Sequence, residues 1–446
     1  MSNYGKPPFT NLKYCRRCCM PDTNEKITFD NMGMCQICQS SEQKIHIDWI
    51  EREKQLKRIL DDSKKKSGNN YDCIVGISGG KDSFFQLHVL TKIYKMNPLA
   101  VTFFHNWYNE TGKENLLNAI ETFNVDHLMF TPKRNTINKL AKKSLYEIGD
   151  ACWHCHAGIG NFVLQTAIRY KIPLIIWGES TSEESGKATY EKPKKFDRLY
   201  FLKSSAKKKS AEMVGDGIEM KDLNAYHIPS KKECDDVGIN GIHLGDYMFW
   251  DDERQTEFIS ETYGWKEADV EGTYKGYKSN GCVMTGVHDY MKLIKRGFGR
   301  TTDHVSRDIR AGLLTREEGF ELIKKYETSS SYQKGLEYFL KITGLTEQEV
   351  IEALREQNRL VQQIMEQKLE KFEAVLEEKE KCIDILKDQI GSTSNHNTFN
   401  LIKNDIYTMK PLEFLNTFCI NNPSLDEVIG MIQNSGLQAD EQNRIR

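Results

Sequence analysis

Tyr71-Asp72-Cys73-Ile74-Val75-Gly76-Ile77-Ser78-Gly79-Gly80-Lys81-Asp82-Ser83 is the stretch on which the reading of the fold turns. Its first seven residues are a short apolar run with β-branched side chains, suited to a strand buried on both faces of a parallel sheet. Two glycines follow, and then a helical stretch from Phe84 to Met96. A strand, a glycine turn and a helix in that order bring backbone N–H groups close to an anion and aim the helix N-terminus at it. Ser78 and Ser83 add hydroxyl donors and Lys81 a positive charge, while Asp82 is placed to orient the loop or to help hold Mg2+. A plain turn would also join strand to helix, but the whole hexapeptide in this setting favours a phosphate loop. It is not a Walker loop, because the spacing G-x-x-x-x-G-K-[ST] is absent.

Working outward, the alternation continues. Leu99–Phe104 reads as a second strand, residues 113–123 as a helix, His127–Phe130 as a third strand and residues 135–147 as a helix. A helix over 158–170 leads into a fourth strand, Ile172–Gly178. This alternation of strands and helices predicts an α/β fold with a doubly wound parallel sheet. Before the first strand lie a helix over 46–66 and a cysteine-rich, turn-rich head over 1–45. After it, residues 305–360 read as helical. The charged, amphipathic segment 346–390 places Val350, Leu354, Val361, Ile364, Phe372, Val375, Leu376, Ile383 and Leu386 at helical spacing. Gln357, Lys368 and Lys371 interrupt its heptads, so a packed helix or hairpin fits better than a long coiled coil. The expected division is a head (1–45), an α/β nucleotide-binding domain (46–330) and a helical extension (331–446), whose helices are candidates for self-association.

The chain has 446 residues, 39% hydrophobic and 28% charged, with a net charge of −2, the composition of a soluble globular protein. That charge gives no overall pull toward nucleic acid, and no nucleic-acid partner is expected. No run approaches the ~20 apolar residues that span a bilayer, and the N-terminal residues carry no apolar signal core. A cytoplasmic protein without a membrane partner is the expectation.

Six of the twelve cysteines fall in three Cys-x-x-Cys pairs. Cys15/Cys18 and Cys35/Cys38, sixteen residues apart, have the spacing of two knuckles that supply four thiolates to a structural zinc. Cys19, beside Cys18, is a decoy for a ligand. Cys152 and Cys155, in Cys152-Trp153-His154-Cys155-His156, leave several readings open: a second metal with a distant ligand, a redox pair, a nucleophilic thiol, or a structural knuckle at a helix start. Gly178 and Glu179 follow the fourth strand, where strand ends line the ligand crevice of an open sheet. Glu179 and Glu183 are therefore candidates for contacts to Mg2+ or substrate. Farther on, Lys292, Arg300, Arg307 and Arg310 are candidates to clamp a pyrophosphate or a sugar diphosphate, because guanidinium forks match phosphate oxygens. Charge on a helix surface is the alternative for each.

Ser-Gly-Gly-Lys-Asp-Ser resembles the signature of the PP-loop ATP pyrophosphatases, which cleave ATP between its α and β phosphates. The resemblance implies an ATP-binding set of Ser78, Gly79, Gly80, Lys81, Asp82, Ser83, Gly178 and Glu179, with Lys81 and Asp82 catalytic and Mg2+ beside the departing pyrophosphate. The order of motifs narrows it further. The cysteine-rich head, the loop, the C-W-H-C knuckle, W-G-E-S, H-L-G-D-Y-M-F-W-D and the block from His288-Asp289-Tyr290 through Arg316-Glu317-Glu318 resemble the N-acetyl sugar amidotransferases over roughly residues 10–360. These serve lipopolysaccharide and flagellin glycan synthesis, turning an acetamido group into an acetamidino group. The resemblance implies ammonia delivered by a separate glutaminase through a barrel-type channel subunit. Consistent with this, the chain begins Met1-Ser2 and shows no G-x-C-x-G elbow for a glutaminase of its own. A tRNA-thiolating enzyme using Cys152 or Cys155 and a non-catalytic nucleotide-binding scaffold are the alternatives.

Overall fold

Five parallel strands form the sheet: β1 (Cys73–Gly76), β2 (Pro98–Phe103), β3 (His127–Phe130), β4 (Leu174–Trp177) and β5 (Asn240–His243). In the computed structural model, which describes residues 12–24, 27–180, 182, 190, 193 and 198–358, their order is β3-β2-β1-β4-β5. Register runs Ile74↔Leu99 and Val75↔Ala100 on one side of β1, and Ile74↔Ile175 on the other. The chain fills one half of the sheet, returns to the middle and builds the other half. The switch point therefore lies between β1 and β4, where an open α/β sheet opens its ligand crevice.

The apolar runs act as two-sided strands. Ile74, Leu99, Val101, Phe103 and Ile175 face one core, while Cys73, Val75, Ala100, Leu174 and Ile176 face another. On the first side pack α5 (Arg134–Ile148) and α6 (Trp153–Tyr170), through Ile137, Leu140, Val163 and Ala167. On the second pack α3 (Lys81–Leu87) and α4 (Glu110–Phe123), through Phe84, Leu87, Leu116 and Ala119. The sheet is doubly wound, as the alternation predicts. Four strands fall where the sequence places them. The fifth, β5, lies in a segment that carries no strand signal and is an edge strand paired only with β4.

The helix α6 begins five residues earlier than its periodicity suggests, which makes Cys152 its N-cap residue. The helix α7 (Lys231–Val237) leads into β5, and beyond that strand the chain forms α8 (Asp252–Tyr263), α9 (Thr285–Arg296), α10 (Arg300–Arg310), α11 (Arg316–Tyr326) and α12 (Gln333–Thr343). Leu336 and Phe339 of α12, with Leu345, Val350 and Leu354 after it, share the core of Val287, Met291 and Leu293 on α9. This layer runs to the end of the first compact unit at residue 357.

The cysteine-rich head has its own small core of Met20, Ile27, Ile37 and the four knuckle cysteines, closed by Phe298. The Arg316 Nε group donates to the carbonyls of Cys15 and Cys18, at 3.2 Å each, and ties the head to α11. No helix among the described residues is long and apolar enough to cross a membrane. Glu183, and the heptad positions from Val361 onward with the self-association expected of them, lie outside the described residues.

Candidate active site

The phosphate-loop candidate leaves the C-terminal end of β1 at the switch point and enters α3, which continues as π-helical turns over His88–Ile93. Gly79 has φ 76°, and a β-carbon there would sit 2.7 Å from the Leu116 backbone nitrogen, so only glycine fits. The Ser83 hydroxyl donates to the Gly80 carbonyl at 2.9 Å and accepts from the Ser78 amide at 3.2 Å, folding the loop on itself. The Trp265 indole N–H donates to the Gly79 carbonyl at 2.9 Å. Gly80 caps α3 without a side-chain hydrogen bond.

Lys81 is 3% exposed, which a lysine tolerates only when paired. Its ammonium binds Asp82 and, at 2.6 Å, Asp252 at the start of α8. Asp252 also receives Lys278, at 2.5 Å, and Arg307. The Trp250 indole donates to Asp82 at 3.2 Å. Burial alone would raise the Asp82 carboxyl. The charge of Lys81, then Lys278 and Arg307, outweighs it and holds the group below the usual carboxylate range. Three cations thus converge on two carboxylates beside the loop, an arrangement that stores positive charge where an anion would arrive.

Gly178 lies against the same centre: a β-carbon there would meet the Trp250 ring at 3.2 Å and Asp82 Cβ at 3.5 Å. The backbone carbonyl of Glu179 accepts from His243 at 3.1 Å. Two cavities adjoin the cations. One of about 760 Å3 is walled by Trp250, Asp252, Lys275, Arg307 and Arg310, with Ile37 of the head. The other, about 260 Å3, is lined by Lys278, Lys292, Arg296, Arg300, Arg307 and Arg310, among others, against the single acid Asp303.

The four expected cations therefore meet in one place. Arg300 forks onto Asp289 and donates to Ser279 Oγ at 3.0 Å; Lys292 pairs with Asp303. Arg310 has its Nη1 buried with no hydrogen-bond partner. Asp252, Trp250 and Trp265 are parts of the centre that the sequence reading did not assign.

In the head, the Cys15, Cys18, Cys35 and Cys38 sulfurs are fully buried, with Cys15–Cys38 at 3.9 Å and Cys18–Cys35 at 3.8 Å. A tetrahedron of sulfurs at ~2.3 Å from a zinc ion has edges of about 3.8 Å, so the donor set fits the metal without rearrangement. The Cys35 amide points at Cys15 Sγ from 3.3 Å. A metal bound there would displace the thiol protons, since the thiolate is the form that binds it. Cys19 is the decoy expected: its thiol donates to the Arg316 carbonyl, and burial pushes it up to about 12.

Cys152 and Cys155 do not act as a matched pair of ligands. The groups within ligand distance of Cys152 are Asp150 and His288, all three donor atoms lying within 4.8 Å of one another. Burial raises both thiols, and pushes the neighbouring Cys282 up to about 11.

Comparison with known proteins gives three likenesses. A family model described as the C-terminal domain of WbpG-like LPS biosynthesis proteins matches residues 271–376. An uncharacterised protein of Methanocaldococcus jannaschii, MJ1599, is 25% identical over 303 residues, 68% of this chain and 90% of its own length. Among solved structures, NMN synthetase from Francisella tularensis matches 29% of this chain at 18% identity and a TM-score of 0.23. The match spans only about half of that synthetase, 54% of its chain.

Proposed function

We propose that this chain is an ATP-dependent, AMP-forming amidotransferase acting on an N-acetyl sugar in glycan biosynthesis. The observation that carries the proposal is the Ser78–Ser83 loop at the sheet's switch point, with buried Lys81 held between Asp82 and Asp252. The match of residues 271–376 to a lipopolysaccharide biosynthesis domain supports the pathway class, since it contains Lys278, Lys292, Arg300, Arg307 and Arg310 of the cation wall.

On this reading the amides and hydroxyls of Ser78–Ser83, with Lys81, hold the β and γ phosphates of ATP. Lys81 exchanges its carboxylate partners for phosphate oxygens. Asp82, with Asp252 beside it, would supply the hard oxygen ligands that suit Mg2+, and the ion would offset charge on the departing pyrophosphate. The acetamido oxygen attacks the α phosphorus, the bond to the β phosphate breaks and pyrophosphate leaves. Ammonia then adds to the imidate carbon, a proton is lost from nitrogen, and AMP departs as the acetamidino group forms. The work of the protein is positioning and charge neutralisation. Lys292, Arg300, Arg307 and Arg310 lie where a diphosphate carrier of the sugar would be clamped.

Free ammonia is almost wholly protonated at neutral pH, so a partner glutaminase with a channel subunit supplies it. The test combines purified protein with ATP, ammonium and a nucleotide-linked N-acetyl sugar, read by mass spectrometry. Replacement of one sugar oxygen by NH is expected with ammonium, and not with glutamine unless the partner is added. Failure to modify any such sugar, or synthesis from glutamine by the chain alone, contradicts this reading.

A further inference from the structure

Asp150 and Cys152 lie in the turn between α5 and α6, and His288 lies in the first turn of α9. The turn and the helix thus bring an oxygen, a sulfur and an imidazole nitrogen within 4.8 Å of one another. The turn is pinned from the same helix that carries His288. Lys295, two helical turns on, donates to the carbonyls of Ile148 and Gly149, at 3.2 and 3.1 Å. Asp150 is fixed in turn by the Cys152 amide, which donates to its Oδ1 at 2.8 Å. Cys152 is the N-cap residue of α6, yet its side chain makes no capping hydrogen bond, so the thiol is not spent on the helix.

We infer that Asp150, Cys152 and His288 form a second metal site, separate from the four-thiol head and built for a borderline divalent cation, zinc before any other. The donor set decides the class of ion: thiolate and imidazole suit zinc, whereas magnesium and calcium require oxygen. The spacing agrees. His288 Nδ1 stands 3.3 Å from Asp150 Oδ1, and two light-atom ligands at ~2.0–2.1 Å from a tetrahedral zinc lie about 3.3 Å apart. The Cys152 sulfur stands within 4.8 Å of both.

Three protein ligands leave a fourth position open, which is the pattern of zinc sites that receive a water or a substrate atom. The next residue on α9, Asp289, grips Arg300 of the cation cavity. His288 is thus joined to the cavity wall along the chain through Asp289 and its ion pair with Arg300. The competing arrangement is a simple Asp150–His288 ion pair with Cys152 as a bystander, and it predicts no bound metal.

The experiment counts metal in the full chain, loaded with Zn2+ and then freed of excess, and repeats the count with Co2+, whose thiolate bands report sulfur ligation. Wild type should hold two equivalents. Cys152→Ser and His288→Ala should each hold one and keep the Co2+–thiolate signal of the head, whereas Cys15→Ser should lose the head metal and keep the second. Asp150→Asn serves as a further variant, and melting curves establish that each protein is folded. One equivalent in wild type, or two retained in folded Cys152→Ser and His288→Ala, overturns the inference.

Discussion

The head and the turn before α6 carry the same Cys-x-x-Cys spacing and use it differently. In the head, two knuckles separated by sixteen residues fold face to face, and all four sulfurs converge at tetrahedral distances. At 152–155 no second knuckle exists to meet the first. Cys152 groups with Asp150 and His288 instead, and Cys155 is left as a half-buried thiol within α6. Spacing of cysteines predicts a metal site when the pattern occurs twice at knuckle separation. A single pair fixes only one ligand, and the rest come from elements distant in sequence.

The largest effect should follow from breaking the head. Cys38→Ser removes one of four thiolates from a closed site whose metal affinity contributes directly to folding. The expected result is loss of one metal equivalent and a marked fall in melting temperature, together with weakened sugar-nucleotide binding because Ile37 of the head walls both cavities. Metal analysis and calorimetry check it; a variant that keeps its metal would remove the head from the comparison.

A second effect concerns the seam beneath the head, where Glu327 accepts hydrogen bonds from the Thr302 amide and hydroxyl at the start of α10. Burial pushes this carboxyl up from 4.5 to about 7, against the hydrogen bonds, which lower it. Its folded pKa lies above the unfolded one, so the native state holds the extra proton between those values. The stability it contributes is fully present below about pH 4.5 and is lost as pH rises through 7. Glu327→Gln should therefore flatten the fall in stability between pH 5 and pH 8, by on the order of 2–3 kcal/mol relative to wild type. Identical slopes in denaturant titrations at the two pH values would contradict this account.

The smallest effect should come from Cys155→Ser. Cys155 is not one of the proposed ligands, so the metal count should stay at the wild-type value while stability falls by about 1 kcal/mol from the altered half-buried thiol. Set beside Cys152→Ser, it separates the two halves of one motif. Equal metal loss in both variants would restore the matched-pair arrangement.

What the sequence made legible follows the range of the interactions. Strands β1 to β4 announce themselves because each is a run of apolar residues entered and left by turn residues. Asn240-Gly241-Ile242-His243 of β5 offers one large apolar side chain, and an edge strand paired on one side needs little more. The Ser78–Ser83 loop was legible as a turn between strand and helix because it is local, six consecutive residues between the two. Asp252 was not: beside Asp251, whose side chain caps α8, it reads as one more helix-start acid. Its partner Lys81 lies 171 residues away, and only the folded chain brings them together. Likewise, the density of cations after residue 278 was visible, but not that Lys278 and Arg307 share one carboxylate.

On the proposed function, the Ser78–Ser83 loop holds ATP for cleavage between its α and β phosphates. The most direct measurement identifies the nucleotide product formed with sugar-nucleotide and ammonium present, in wild type and in folded Lys81→Ala. The account predicts AMP and pyrophosphate in equal amounts from wild type, and at least a hundredfold loss in Lys81→Ala, about 3 kcal/mol of transition-state stabilisation. ADP and phosphate as the stoichiometric products, or a Lys81→Ala protein as active as wild type, would contradict it.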